Sequence, residues 1–319
     1  MQTSAAPVRD THTVRTLDLW STKGFHATNR VDSVPHGQSG SVARARNAML
    51  IDIGYDIELT LSAPTALIYL LRVHPNREHD LQAPENFQLQ PSLQTREYFD
   101  SFGNRCGRIQ VPAGVSAVRL TNRARIYDNG LPDMVHYGAY QYLPQELPED
   151  VLQFLLPSRY CEVDSELLGF AWANFGHTAL GWARVQAICD FVHQRIHFDY
   201  GAARSTRSAL QGFHEQTGVC RDFAHLAVTL CRCMNIPARY VTGYLGDIGI
   251  APVRYPMDFS AWFEVYLGGQ WYTFDARHNT PRIGRIVMAM GRDAGDVPIT
   301  MTFGANTLTR FEVTTDEVI

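Results

Sequence analysis

The chain has 319 residues, 45% of them hydrophobic and 19% charged, and its 28 Lys+Arg against 32 Asp+Glu leave a net charge of -4. That composition supports a buried core and excludes intrinsic disorder, collagen-like repeats and disulfide-dependent miniproteins, while the length suits two domains. No basic stripe interleaves with aromatics as a nucleic-acid groove requires. The longest apolar runs, such as Thr65 to Leu71, fall short of the roughly 20 residues that cross a bilayer.

Residues 1–48 carry apolar positions at neither helical nor strand spacing and read as a flexible extension, with Met49 a candidate true start. From there Ile51, Ile53, Tyr55, Ile57, Leu59 and Leu61 alternate with polar residues, the period of a half-buried strand. Further strands are expected at Leu67 to Val73, Arg105 to Val111 and Val115 to Ile126, giving an antiparallel β domain, a sandwich, over residues 49–142. The Pro-containing stretch from Leu143 to Pro148 opens a linker over 143–160, and a core with C-terminal strands fills 161–319. In that core Val185, Ile188, Cys189, Val192 and Ile196 form the apolar stripe of a helix. A second helix is expected from near Cys220 to about Met234, stopped by Asn235 and Pro237. Gly268-Gly269 between two strand-like runs predicts a β-hairpin.

The segment Gly218-Val219-Cys220-Arg221-Asp222-Phe223 puts a thiol in the first turn of a helix, where unpaired N–H groups and the helix dipole stabilise a thiolate and can serve an oxyanion. A buried, inert cysteine is an equal reading of position alone. With Gly268-Gly269 as the turn, Trp262 falls opposite Asp275 and Ser260 opposite Arg277, so Ser260 and Asp275 are diagonal neighbours on one face. An imidazole at position 260 could bridge that diagonal of roughly 7–8 Å, and a serine hydroxyl could not.

From about Met49 to Ile319 the chain resembles the bacterial transglutaminase-like proteins of the papain-like cysteine hydrolase superfamily. The resemblance rests on Asp100-Ser101-Phe102-Gly103-Asn104, on Leu156-Pro157-Ser158-Arg159-Tyr160-Cys161, and on Gly218 to Leu226. It continues through Pro237 to Tyr244, Ala261 to Tyr266 and Trp271-Tyr272-Thr273-Phe274-Asp275. It implies an α+β fold: an N-terminal antiparallel β-sandwich-like domain, then a core of helices packed on an antiparallel sheet. It further implies a Cys220 nucleophile, an orienting Asp275, and attack on a peptide or carboxamide carbonyl through a thioester. Where family members read Phe-His-Ala-Trp, this chain reads Phe259-Ser260-Ala261-Trp262, so the triad histidine is replaced by Ser260. A serine cannot accept and return that proton near neutral pH. Two readings follow, an impaired cysteine hydrolase or acyltransferase and a non-catalytic peptide- or protein-binding pseudoenzyme; in both the partner is a peptide or protein.

Other histidines are weak substitutes. His225 should point away from the thiol, about 140° around the helix. His278 starts on the wrong face by strand alternation and reads as a turn or surface residue. His193 and His197 share a helix face but lack a third ligand, so no metal is expected, and no cofactor either. Asp222 and Arg221 read as structural, the latter solvated or paired, and Cys231 and Cys233 as core thiols. With Cys106, Cys161, Cys189 and Cys220 they form an irregular set typical of a reducing compartment, which with the absence of a secretory signal predicts a cytoplasmic location.

Overall fold

The computed structural model describes residues 49–253 and 257–318, so the expectation for residues 1–48 lies outside the described residues and Met49 is the first of them. The N-terminal domain uses β1 (Met49–Leu61), β2 (Thr65–Tyr69), β3 (Gln88–Gln90), β4 (Thr95–Phe99), β5 (Arg105–Val111) and β6 (Ala117–Asp128). In β1 every second residue from Ile51 to Leu61 is buried, the alternation read from the sequence. The core follows with α1 (Glu149–Leu152), α2 (Glu166–Phe175), α3 (Trp182–Arg195), β7 (His197–Phe198), α4 (Ala209–Glu215), β8 (Thr217–Gly218) and α5 (Cys220–Cys233). Then come β9 (Ala238–Tyr244), β10 (Phe259–Leu267), β11 (Gln270–Phe274), β12 (Ile286–Gly291), β13 (Thr300–Thr302) and β14 (Asn306–Glu317).

Three four-stranded sheets result, with orders β14-β1-β6-β3, β13-β2-β5-β4 and β11-β10-β9-β12. The first two make the sandwich and the third carries α5. This differs from a core that runs to the end of the chain: β13 pairs with β2 and β14 with β1, so the last strands complete the N-terminal sheets. The reason is burial. Val313 and Thr315 face inward, and the second edge of β1 would otherwise expose backbone donors and acceptors of a strand whose side chains are core.

Two of the family-like motifs turn out to be fasteners. Asp100 accepts hydrogen bonds from the Phe102 and Asn104 amides and from the Asn104 side chain, closing the 100–104 turn. Asn104 then grips the backbone of Met290 in β12 with a reciprocal pair, both bonds 2.8 Å, tying sandwich to core. In the second motif, the Arg232 guanidinium near the end of α5 donates to the carbonyls of Leu156, Ala238 and Arg292 and to Ser158 Oγ.

The α3 stripe is buried as expected: Val185, Ile188, Cys189, Val192 and Ile196 join Ala227, Leu230 and Cys231 of α5 in one apolar cluster. A second cluster runs unbroken from the sandwich, through Ile51 and Tyr55, to Cys220, Ala224 and Phe259. The start of α5 therefore sits where the two domains meet.

Candidate active site

Cys220 is the first residue of α5, and the chain reaches it through Gly218 in β8, packed closely against the Asp222 side chain. Asp222 folds its carboxylate back so that Oδ2 accepts the Val219 amide at 2.8 Å, capping the helix. A Cβ on Gly218 would lie 2.4 Å from that same oxygen. Arg207 Nη1 closes a buried ion pair with Asp222 Oδ2 at 3.0 Å. Burial nevertheless raises the Asp222 carboxyl above its ordinary value, outweighing Arg221 and Arg207. Arg221 is not solvated; it is fully buried over the Tyr160 ring at 4.3 Å, with Nη1 on the Arg204 carbonyl.

The thiol is 1% exposed and Ser260, the second residue of β10, is 0% exposed. They are neighbours. Burial pushes the Cys220 thiol far above its ordinary value, the Ser260 hydroxyl and the Ala261 amide pull it back, and the charges of Asp275 and Asp258 push it up again. The balance favours the thiol over the thiolate at Cys220. Asp258, buried two residues before Ser260, is a contributor that sequence reading had not singled out.

The hairpin has the expected register, Phe263 opposite Phe274 and Leu267 opposite Gln270 around Gly268 and Gly269, both at positive φ. The ladder stops at Phe274, and Asp275 begins a turn closed by the Asn279 amide on the Asp275 carbonyl at 2.7 Å. His278 is a turn residue, the first of the two readings expected for it, and not a surface group. Alternation ends with the strand, and the i, i+3 geometry of the turn brings His278 back over Asp275, Nδ1 lying 2.7 Å from Oδ2. The side chain is 17% exposed.

Asp275 is held from every side. Oδ1 accepts the Arg277 and His278 amides at 3.0 and 3.1 Å, and Arg285 Nη1 and Nη2 lie 3.4 Å from Oδ2. Burial would raise its pKa, but His278 and Arg285 outweigh this and keep the carboxyl well below the usual range. Burial lowers His278, against the pull of Asp275, so at neutral pH the pair is a carboxylate and a neutral imidazole with the proton on Nδ1. Ser260 is not among the bonded partners of Asp275, in keeping with the length of the diagonal. A cavity of about 240 Å³ reaches Asp275 and is lined also by Trp182, Gln186, Cys189, Phe274 and Asn279.

The remaining histidines lie elsewhere. His225 stacks between Tyr160 and Tyr240, with Nε2 accepting the Ala294 amide at 3.1 Å, pointing away from the thiol. His193 Nδ1 lies 2.9 Å from the Arg277 carbonyl, and among the described residues no group of three His, Cys, Asp or Glu stands close enough to hold a metal. All six cysteines are buried and none is in a disulfide.

The transglutaminase-like superfamily model matches residues 173–276, a span holding Cys220, Ser260 and Asp275 and ending two residues short of His278. The crystal structure of a candidate cysteine protease from Cytophaga hutchinsonii is 30% identical, covers 86% of this chain and 92% of its own, and superposes with a TM-score of 0.73. The chain belongs to the transglutaminase-like superfamily. An uncharacterised protein of Mycobacterium leprae is 32% identical over 116 residues of this transglutaminase-like chain; that match spans 35% of this chain and 41% of the curated relative. The periplasmic domain of TgpA from Pseudomonas aeruginosa aligns at 17% identity over 73% of this chain and 91% of its own, with a TM-score of 0.36, too low to inform the site.

Proposed function

We propose that this transglutaminase-like protein is a cysteine hydrolase or acyltransferase scaffold for peptide or carboxamide bonds, with Cys220 as nucleophile and Asp275 as orienting acid. The observation that carries the reading is the placement of Cys220 at the capped start of α5, beside Ser260 and within the field of Asp275, in a chain of this superfamily. In the reaction, Sγ bonds to the carbonyl carbon, the C–N bond breaks, and the thiol proton ends on the departing amine. Water or an amine then resolves the thioester. Ser260 cannot carry that proton, so turnover through position 260 is impaired, by a factor of roughly 10³ to 10⁶ on the pattern of other triad losses. Six cysteines with no disulfide among the described residues suit a reducing, cytoplasmic setting.

A second reading, a non-catalytic peptide- or protein-binding module, is favoured by the closed, neutral state of the thiol. One experiment separates them: a mixed peptide library incubated with the wild type, Ser260→His and Cys220→Ala, with cleavage and deamidation read by mass spectrometry. Cysteine-dependent turnover by Ser260→His alone supports the impaired scaffold. Turnover by the wild type, lost in Cys220→Ala, means a base other than residue 260 serves the thiol. Retention of library peptides with no turnover in any variant supports the binding module and overturns the scaffold reading.

A further inference from the structure

We propose that the outer face of the sheet β13-β2-β5-β4 docks a segment of a partner protein in which acidic side chains stand beside apolar ones. This surface belongs to the sandwich alone and includes none of the candidate active-site residues. Alternate residues of the sheet, Leu67, Tyr69, Ile109 and Val111 among them, fill the core, and the residues between them face outward. One outward row crosses all four strands in register: Met301 beside Ile68, Ile68 beside Arg108, Arg108 beside Arg96. Ala66, Tyr98 and Phe303 flank that row on the same face, and with Ile68, Arg96 and Arg108 they line an open groove of about 580 Å³. Tyr98 and Phe303 are exposed in it.

The two arginines set the chemistry. Like charges directly opposite on adjacent strands cost stability, and Arg96 and Arg108 are such a pair. Elsewhere in the sandwich Arg72, Arg105, Arg119, Arg125 and Arg310 each meet a carboxylate. Among the described residues neither Arg96 nor Arg108 does. The contrast is sharpest on β4 itself, where Glu97, on the opposite face, is paired with both Arg72 and Arg105 while Arg96 beside it has no counter-charge. A charge on β4 alone would serve to ward off other strands from the sheet edge. Arg108 lies on β5, an interior strand, where that task does not arise.

Complementarity then fixes the occupant. Two arginines with Cβ atoms roughly 5 Å apart can hold one carboxylate between them or one each, in the forked geometry that lysine does not offer. The rest of the groove is Ala66, Ile68, Tyr98 and Phe303, a lining that takes aliphatic or aromatic side chains. From the arginine strands to β2 and β13 is two strand spacings, roughly 10 Å, so the acidic and apolar groups of the occupant stand about that far apart. A chain segment of a few residues meets this requirement, whereas a small free anion would fill only the arginine end.

The test is selection of random peptides displayed on phage against the full chain, followed by fluorescence anisotropy with a selected peptide made synthetically. Selected sequences are expected to combine Asp or Glu with Leu, Phe or Trp, and the peptide to bind Arg96→Glu/Arg108→Glu at least about tenfold more weakly than the wild type and to weaken in high salt. No enrichment of acidic sequences, or binding that the double variant leaves unchanged, overturns the proposal. So does sedimentation of the wild type as a dimer that Arg108→Glu dissociates, which gives the face to a second copy. Wild-type binding to vesicles of phosphatidylcholine and phosphatidylserine, lost in the double variant, gives it to an anionic membrane and overturns the proposal too. Arg108→Gln carries the binding test where the double variant fails to fold. Relieved of the opposed charge, Arg108→Gln should melt no lower than the wild type. A lower midpoint makes the arginine pair structural and overturns the proposal.

Discussion

Replacing Asp222 tests whether the start of α5 is held as described. Asp222→Ala removes the cap on the Val219 amide, about 1 kcal/mol. It also strips the Arg207 guanidinium, 4% exposed, of its buried partner. Breaking a buried pair costs about 3–5 kcal/mol. Arg207 keeps a bond to the half-exposed Glu215 at 2.9 Å, which favours the lower end, so the expected total is about 4 kcal/mol. Because burial makes the charged Asp222 costly in itself, removing both charges should be far milder. Asp222→Asn with Arg207→Met retains a cap acceptor, removes the Arg207 cation together with its partner and, with Arg221 still buried beside position 222, should lose about 1–2 kcal/mol. Urea denaturation followed by tryptophan fluorescence gives both numbers. A loss below about 1 kcal/mol in Asp222→Ala, or a double variant as weak as the single, would refute the argument.

His74 supplies a pH prediction. Burial lowers it from 6.5 to about 4, so the folded state binds the proton less readily than the unfolded chain. Stability should therefore fall as pH drops below about 6.5, the full loss of about 3 kcal/mol being reached near pH 4. Denaturation midpoints at pH 7 and 4.5 should differ less in His74→Gln than in the wild type, and an equal difference would exclude His74 as a source. Arg232→Met leaves the carbonyls of Leu156, Ala238 and Arg292 without this donor and should cost about 3–5 kcal/mol; thermal unfolding within about 1 kcal/mol of wild type would show that other donors replace it.

Local rules made much of this molecule readable. Period-two alternation marks β1, the spacing of Val185 to Val192 marks α3, and Gly268-Gly269 fixes a register that holds to the end of the ladder. Each of those signals is carried by residues close in sequence. The return of β14 to β1 is not, since it pairs residues some 250 positions apart and no local pattern names the partner. The candidate site divides in the same way. Cys220, Ser260 and Asp275 were placed by motif and register, and His278 was read as a turn residue, but its bond to Asp275 was missed because strand alternation stops at Phe274 and no longer tells where the side chain goes. Asp258 carries no motif at all, and only packing makes it a neighbour of the thiol.

The pairing of β14 with β1 also orders events in time. During synthesis β1 emerges early and finds β6 within the same domain, yet its other edge stays open until Asn306–Glu317 has been made. Through that interval a long, half-apolar strand offers a free ladder to any neighbouring chain, so crowding of nascent copies should favour intermolecular β pairing. For the same reason the transglutaminase-like core cannot be cut away cleanly at the linker: the piece removed would leave with its sandwich incomplete, and the piece kept would carry two strands with no sheet to join.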